Sequence, residues 1–282
     1  MLKRLAAMAI VLAAPLSAQA AVDPGPVVAA ERAFAADGLA MGIKGSFLKH
    51  SADDAIILRP DPVNAHTVYG ARKDDVGGPP LAWWPVWAGI ARSGDLGFTT
   101  GPATYNGKPS GFYFTIWKQQ ADGAWKWVFD SGVEADSAGA PGPQTAPAYL
   151  PTATTGAGSA SAAMAQVKAV EAVLARGAAK DVVVAYLKVL ANDARIQGSP
   201  APPANDPEAV RRELQTRPRT MQLSPLGGLA SAAGDLVWTY GDASLIGTDG
   251  KVARGHYVRV WQKRKAGWKL VFDELIDAPP GA

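Results

Sequence analysis

The chain has 282 residues, with 28 Lys and Arg against 25 Asp and Glu, three His and no Cys. So even a charge balance argues against a nucleic-acid partner, whose phosphates call for a clear basic excess. Without Cys there are no disulfide staples, thiolate nucleophiles or Cys-based metal sites, and His50, His66 and His256 lie too far apart in sequence to form a His-rich zinc motif. No motif calls for a cofactor or a metal.

Residues 1–20 have the pattern of a secretory signal peptide. Lys3 and Arg4 precede an uncharged apolar run, Leu5 to Leu16, and Ala18-Gln19-Ala20 offers the small residues of a cleavage site. The run is short for a membrane span. The expectation is export to the periplasm or beyond, with no membrane attachment after cleavage. The mature chain then carries 26 basic residues (28 less Lys3 and Arg4) against 25 acidic ones.

From residue 24 onward the chain is written twice. Gly94-Asp95-Leu96-Gly97-Phe98-Thr99-Thr100-Gly101 returns as Gly234-Asp235-Leu236-Val237-Trp238-Thr239-Tyr240-Gly241. Gly111 to Trp117 returns as Gly255 to Trp261, and Trp125-Lys126-Trp127-Val128-Phe129-Asp130 as Trp268-Lys269-Leu270-Val271-Phe272-Asp273. Upstream, Glu31 and Phe34 match Glu171 and Leu174. A repeat of this length means two copies of one domain, at 24–137 and 164–279. The first copy has 10 basic and 12 acidic residues, the second 16 and 12. Between them, residues 138–163 are uncharged and rich in Ala, Gly, Pro, Ser and Thr, which reads as a linker without a core of its own.

Each copy opens with helix. Val27, Ala30 and Phe34 recur at helical spacing, as do Val167, Val170 and Leu174. A second helical piece is expected after a glycine break at Gly38 or Gly177, over about 41–49 and 181–190. A short strand at 55–58 and an irregular Pro- and Gly-rich stretch follow. The last third is a meander with strands at 94–100, 111–117 and 124–130, turning at Asn106-Gly107 and Asp122-Gly123; the second copy turns at Asp249-Gly250 and Ala266-Gly267. Helices first and antiparallel strands after them make an α+β layer fold. The central strand is apolar on both faces, with Phe112, Phe114 and Ile116 on one and Tyr113, Thr115 and Trp117 on the other.

The element order and the G-x-Y-x-x-x-W…G-x-W-K-x-V-x-D pattern resemble the NTF2-like superfamily, which includes SnoaL-like and DUF4440-type domains. The stretch from Pro85 to Gly101 resembles the DUF4440 type in particular. The resemblance implies two tandem cone folds, each with N-terminal helices packed on a curved, mainly antiparallel sheet around a cavity. It also implies that the outer sheet faces pair, here within one chain as a pseudo-dimer, with Tyr113 and Trp117 expected to pack towards Tyr257 and Trp261.

Several residues qualify for a site. Trp83, Trp84 and Trp87 suit either the mouth of an apolar pocket or the core; the second copy has Leu223, Ser224 and Gly227 there. His256 stands where the first copy has Phe112, and suits a general base if its strand face lines a cavity, with Arg254 and Tyr257 beside it in sequence. Asp130 and Asp273 end the last strand of the two copies, where an apolar cone would raise a carboxyl pKa for acid or base work or, equally, where a turn would be held. Asp95 and Asp235 read as turn formers, and Arg211, Arg212, Arg217 and Arg219 as a solvated loop cluster. The expected function is binding of a small apolar molecule without catalysis. The alternatives are an enzyme using His256, Asp130 or Asp273, and an interaction module with filled cavities.

Overall fold

The computed structural model describes residues 22–246 and 250–278. The expected signal segment and Asp249 of the expected Asp249-Gly250 turn lie outside the described residues.

The first copy runs through α1 (Gly25–His50), β1 (Ser51–Leu58), β2 (Pro62–Asn64), α2 (Ala65–Ala71), β3 (Leu81–Trp83), β4 (Trp87–Ile90), β5 (Leu96–Tyr105), β6 (Lys108–Gln119) and β7 (Trp125–Val133). After β8 (Ala148–Tyr149) come α3 (Ala160–Ala178), α4 (Val182–Val189), β9 (Leu190–Gln197), α5 (Pro207–Thr216), β10 (Thr220–Ala230), β11 (Leu236–Ile246), β12 (Val252–Arg264) and β13 (Gly267–Asp277). The first sheet has the order β2-β1-β7-β6-β5-β4-β8, with β3 also on β5, and the second the order β10-β11-β12-β13-β9. In both, an antiparallel meander is closed by a parallel strand, β1 on β7 and β9 on β13. The chain is therefore α+β, with helices laid on two curved mixed sheets. Among the described residues, no helix is long and apolar enough to cross a membrane.

The helical break in the first copy falls at Gly42 rather than Gly38. Gly42 has φ +77°, and a Cβ there would sit 2.5 Å from Asp75 Oδ1, so this bend belongs to glycine. Gly38 does another job: a Cβ there would meet the Trp83 ring at 2.8 Å, so its bareness lets the indole lie against α1. In the second copy the break comes between α3 and α4, where Asp181 caps α4 by accepting from Val184 N at 2.9 Å. The irregular stretch expected in the first copy holds β2, α2, β3 and β4, strands too short to show a period. Arg211 and Arg212 lie on α5 rather than in a loop, and Arg217 is buried.

The two faces of β6 do different work from that expected. Trp117 Nε1 donates to Glu31 Oε2 at 2.9 Å, so the Tyr113-Thr115-Trp117 face meets α1. The Phe112-Phe114-Ile116 face turns to the second copy instead. Phe114 stacks on Phe272 with centroids 4.0 Å apart, and Phe129, which matches Phe272, lies 5.3 Å from Trp238 and 5.9 Å from Tyr240. Leu236, Val258 and Val260 complete this seam, whereas Tyr257 and Trp261 pack against their own helices. The reason is chemical: a buried carboxylate on the helix needs donors, which only the Thr and Trp face supplies.

Polar bonds across the seam follow the same exchange. Arg92 N donates to Asp235 Oδ2 at 3.0 Å and Ala232 N to Asp95 Oδ2 at 2.9 Å, so the two matched Asp residues bind each other's turn. This reciprocity is the signature of an approximate twofold axis. The segment 138–163, expected to be a linker without a core of its own, is strapped on around β8. β8 adds a parallel strand to β4, Leu150 is buried, and Pro151 O accepts from Gln262 Nε2 at 2.8 Å. Backbone pairing orders it, which a count of apolar side chains does not register.

Glu274 lies buried at the seam, accepting from Ser131 Oγ of the other copy at 2.5 Å and from Gln197 Nε2 at 2.6 Å. Burial pushes its pKa up to about 7, against the pull of these two hydrogen bonds. The folded value exceeds the unfolded one, so this group's contribution is complete below about pH 4.5 and is lost as the pH rises towards 7. Melting curves of Glu274→Gln are therefore expected to gain on the wild type steadily across that range. An unchanged difference between the two proteins would show that the carboxyl titrates normally.

Candidate functional site

In both copies the first helix presents a buried acid to the sheet. Glu31 is fully buried; its Oε1 accepts from Trp83 Nε1 at 2.6 Å, and its Oε2 from Thr99 and from Trp117. Glu171 in the second copy accepts from Thr239 Oγ1 at 2.7 Å and from Trp261 Nε1 at 3.2 Å. Burial raises the Glu31 pKa, while the bonds from Thr99, Trp83 and Trp117 oppose the rise. These acids pin helix to sheet and so set the height of each cone. The one sequence sign of them was an acid at the same place in both helices, on a stripe otherwise apolar.

Beyond the pin, the first cone holds a cavity of about 310 Å³. Phe34 of α1, Ile57 of β1, Tyr69 of α2, Trp83 of β3 and Tyr113 of β6 form its walls, with Phe47 closing the helical side. The rings pack edge to face: Phe34 lies 4.7 Å from Phe47 and 4.8 Å from Trp83. Asp130 of β7 opens on this space and accepts from Thr115 Oγ1 at 2.8 Å. Burial, followed by the charge of Glu31, holds its carboxyl well above the usual carboxylate range, although the Thr115 bond works the other way. A protonated Asp130 is thus a donor as well as an acceptor. The Tyr113 hydroxyl is buried with no hydrogen-bond partner among the described residues, and burial raises its pKa as well. The cavity is lined largely by aromatic rings, with the Asp130 carboxyl, Arg59 and Glu134 as ionisable members.

The second cone holds a buried ionic cluster. Arg259 takes the place of Thr115, and its Nε donates to Asp273 Oδ1 at 2.9 Å and its Nη2 to Tyr186 OH at 2.6 Å. The same guanidinium lies 3.7 Å from the centre of the Tyr257 ring. Arg217 reaches in from the end of α5 to give Asp273 Oδ2 a second donor at 2.6 Å. Both oxygens of Asp273 are thereby engaged in a buried ionic cluster, which is costly to break because it would strand a charge.

The sequence candidates scatter accordingly. Trp83 and Asp130 meet in the first cone; Asp273 and Tyr257 meet in the second, beneath Arg259. Trp84 turns outward and donates to Pro141 O at 2.7 Å, and Trp87 lies at the seam, with its ring centre 4.8 Å from that of Phe98. His256 is on the seam face of β12 with Val258 and Val260. Its Nδ1 is 3.0 Å from Asp242 Oδ1 and its Nε2 3.6 Å from Asp61 Oδ1, yet neither nitrogen is aligned for a hydrogen bond. Arg254 pairs with Asp61 across the repeats. Sequence reasoning missed Glu31, Phe34, Tyr69 and Tyr113 as members of the site. Among the described residues, no group of three or more His, Asp or Glu is placed to hold a metal ion.

No family model and no curated protein matches the chain. Solved structures do. A protein of unknown function with a cystatin-like fold from Nostoc punctiforme PCC 73102 matches at 14% identity, over 42% of this chain and 93% of that one, with a TM-score of 0.35. An NTF2-like protein of unknown function from Pseudomonas putida KT2440 matches at 12% identity, over 42% of this chain and 89% of its own, with a TM-score of 0.36. An NTF2-like superfamily protein from Salmonella enterica matches at 11% identity, over 43% and 94%, with a TM-score of 0.36. Each of the three covers about two fifths of this chain.

Glu31→Leu would leave the Trp83, Thr99 and Trp117 donors unpaired, at about 1–3 kcal/mol for each. Urea unfolding is expected to show a loss of at least about 3 kcal/mol, with Glu31→Gln much closer to wild type. Equal, small losses for both variants would mean that the acid is not the pin.

Proposed function

We propose that this tandem NTF2-like chain binds one small, largely apolar molecule in the cone of its first repeat, after export. The observation that carries the reading is the difference between the two cones. The first keeps a chamber walled by Phe34, Phe47, Tyr69 and Trp83, with Arg59, Asp130 and Glu134 as ionisable groups of its lining. The second gives the same space to Arg259 and Arg217. Rigid rings offer contact area at little entropic cost, and the Asp130 carboxyl, whose pKa is raised by burial, would orient one polar group of the guest.

A second reading, proton transfer by Asp130, is favoured by its raised pKa inside a cavity. His256 and Asp273 do not share that setting: one lies at the seam, the other is clamped by two guanidinium groups.

The test copies the second repeat into the first. Thr115→Arg would place a guanidinium beside Asp130 as Arg259 lies beside Asp273, filling the chamber. Native mass spectrometry of residues 21–282, purified gently from the exporting host, is expected to show extra mass that leaves on denaturation, and none in Thr115→Arg. A clean apo mass for the wild type, or a guest kept by Thr115→Arg, would contradict the binding reading. The proton-transfer reading further requires Asp130→Asn to retain the guest but not to turn it over.

A further inference from the structure

A second cavity, of about 480 Å³, lies between the repeats, where β9, the segment after β7 and the strap around β8 converge. Its walls include Val86, Thr100, Phe112 and Phe272, and Phe112 also borders the first cone. Into this mostly apolar space projects Arg195 of β9, whose guanidinium carbon lies 4.6 Å from the centre of the Trp87 ring. Among the described residues no carboxylate comes within 4.0 Å of that guanidinium, and none of its donors makes a hydrogen bond to the protein. The acid on the rim, Asp136, is exposed and accepts from Ala138 N at 3.0 Å. Every other deeply placed guanidinium of this repeat has an acid: Arg217 and Arg259 share Asp273.

The repeat makes the oddity plain. Arg195 pairs with Phe272 on β13, and the residue paired with Phe129 on β7 is Ile56. An arginine therefore stands at the seam where its twofold mate is isoleucine. Packing alone would favour the isoleucine, because a half-buried cation without a counter-charge is destabilising. Burial draws the Arg195 pKa down to about 10, the direction expected of a cation lacking an anion. Gln197, whose buried Oε1 has no hydrogen-bond partner among the described residues, is also part of the lining of this cavity.

We infer that the inter-repeat cavity is a binding site for a small organic carboxylate with an apolar body, its anionic end held by Arg195 and its body laid between Phe112 and Phe272. A guanidinium presents two parallel donors that match a carboxylate, and its stacking on Trp87 fixes the plane of that fork. This site is separate from the first cone, and its failure or success leaves the reading of that cone untouched.

The experiment is titration calorimetry of residues 21–282 with benzoate, 4-phenylbutyrate and octanoate, each against its uncharged amide. At least one acid is expected to bind, at least about tenfold more tightly than its amide, because the charge-assisted pair is lost in the amide. Arg195→Ile, which restores the residue of the sister repeat, is expected to erase that preference. It should also melt no lower than wild type without ligand, since it removes an unpaired charge. Thr115→Arg, which leaves every wall residue of the inter-repeat cavity in place, should bind the acid as wild type does. Absence of binding for all three acids at millimolar concentration would overturn the inference. So would equal affinity for acid and amide, or an acid preference that survives Arg195→Ile or disappears in Thr115→Arg.

Discussion

A carboxylate with no access to water governs how each repeat is assembled. Glu31 and Glu171 leave the first helix pointing into an apolar layer, where an unpaired acid would be strongly destabilising. The donors common to both are a threonine and a tryptophan from adjacent strands, Thr99 with Trp117 and Thr239 with Trp261; Trp83 adds to the first and Arg259 to the second. That requirement decides which face of the sheet lies under the helices. The opposite face, carrying Phe114, Ile116, Phe129 and their counterparts, is mainly apolar and is left to meet its twin. Helix docking, cone height and the seam thus depend on one kind of hydrogen-bonded acid used twice.

On this shared frame the repeats have parted at a few interior positions. Thr115 against Arg259 is the decisive pair. A threonine gives Asp130 one hydrogen bond, so the carboxyl remains short of donors and burial holds its pKa above the usual carboxylate range. An arginine gives Asp273 an ionic partner, and Arg217 adds another. Matched aspartates on matched strands therefore sit in opposite chemistry. The fold says nothing about which is useful; the side chains around each one do.

Much of this was legible in the amino-acid sequence. The doubled motifs marked two copies, and Asn106-Gly107 marked a hairpin turn with both residues at positive φ, as the structure has them. The sheet faces were not legible, because β6 is apolar on both sides and alternation separates two sets without saying which is inner. Glu31 was visible as a match to Glu171, but an acid's meaning depends on donors more than fifty residues away. For the same reason His256 could be grouped with Val258 and Val260 and yet be assigned to the wrong compartment: that face belongs to the seam. The strap at 138–163 was missed because its order comes from backbone pairing with β4, not from its side chains. Of the site itself, Trp83 and Asp130 were among the candidates, while Tyr69 and Tyr113 gave no local sign.

The asymmetry between the two cones is the point on which the functional reading stands. Dry apolar cavities take up xenon, and cavities filled by side chains do not. Diffraction from crystals held under xenon measures this directly, in both repeats of one molecule at once. Xenon between Phe34, Tyr69 and Trp83, with none around Arg259, is the predicted result. Xenon in neither cone, or in both, would contradict it.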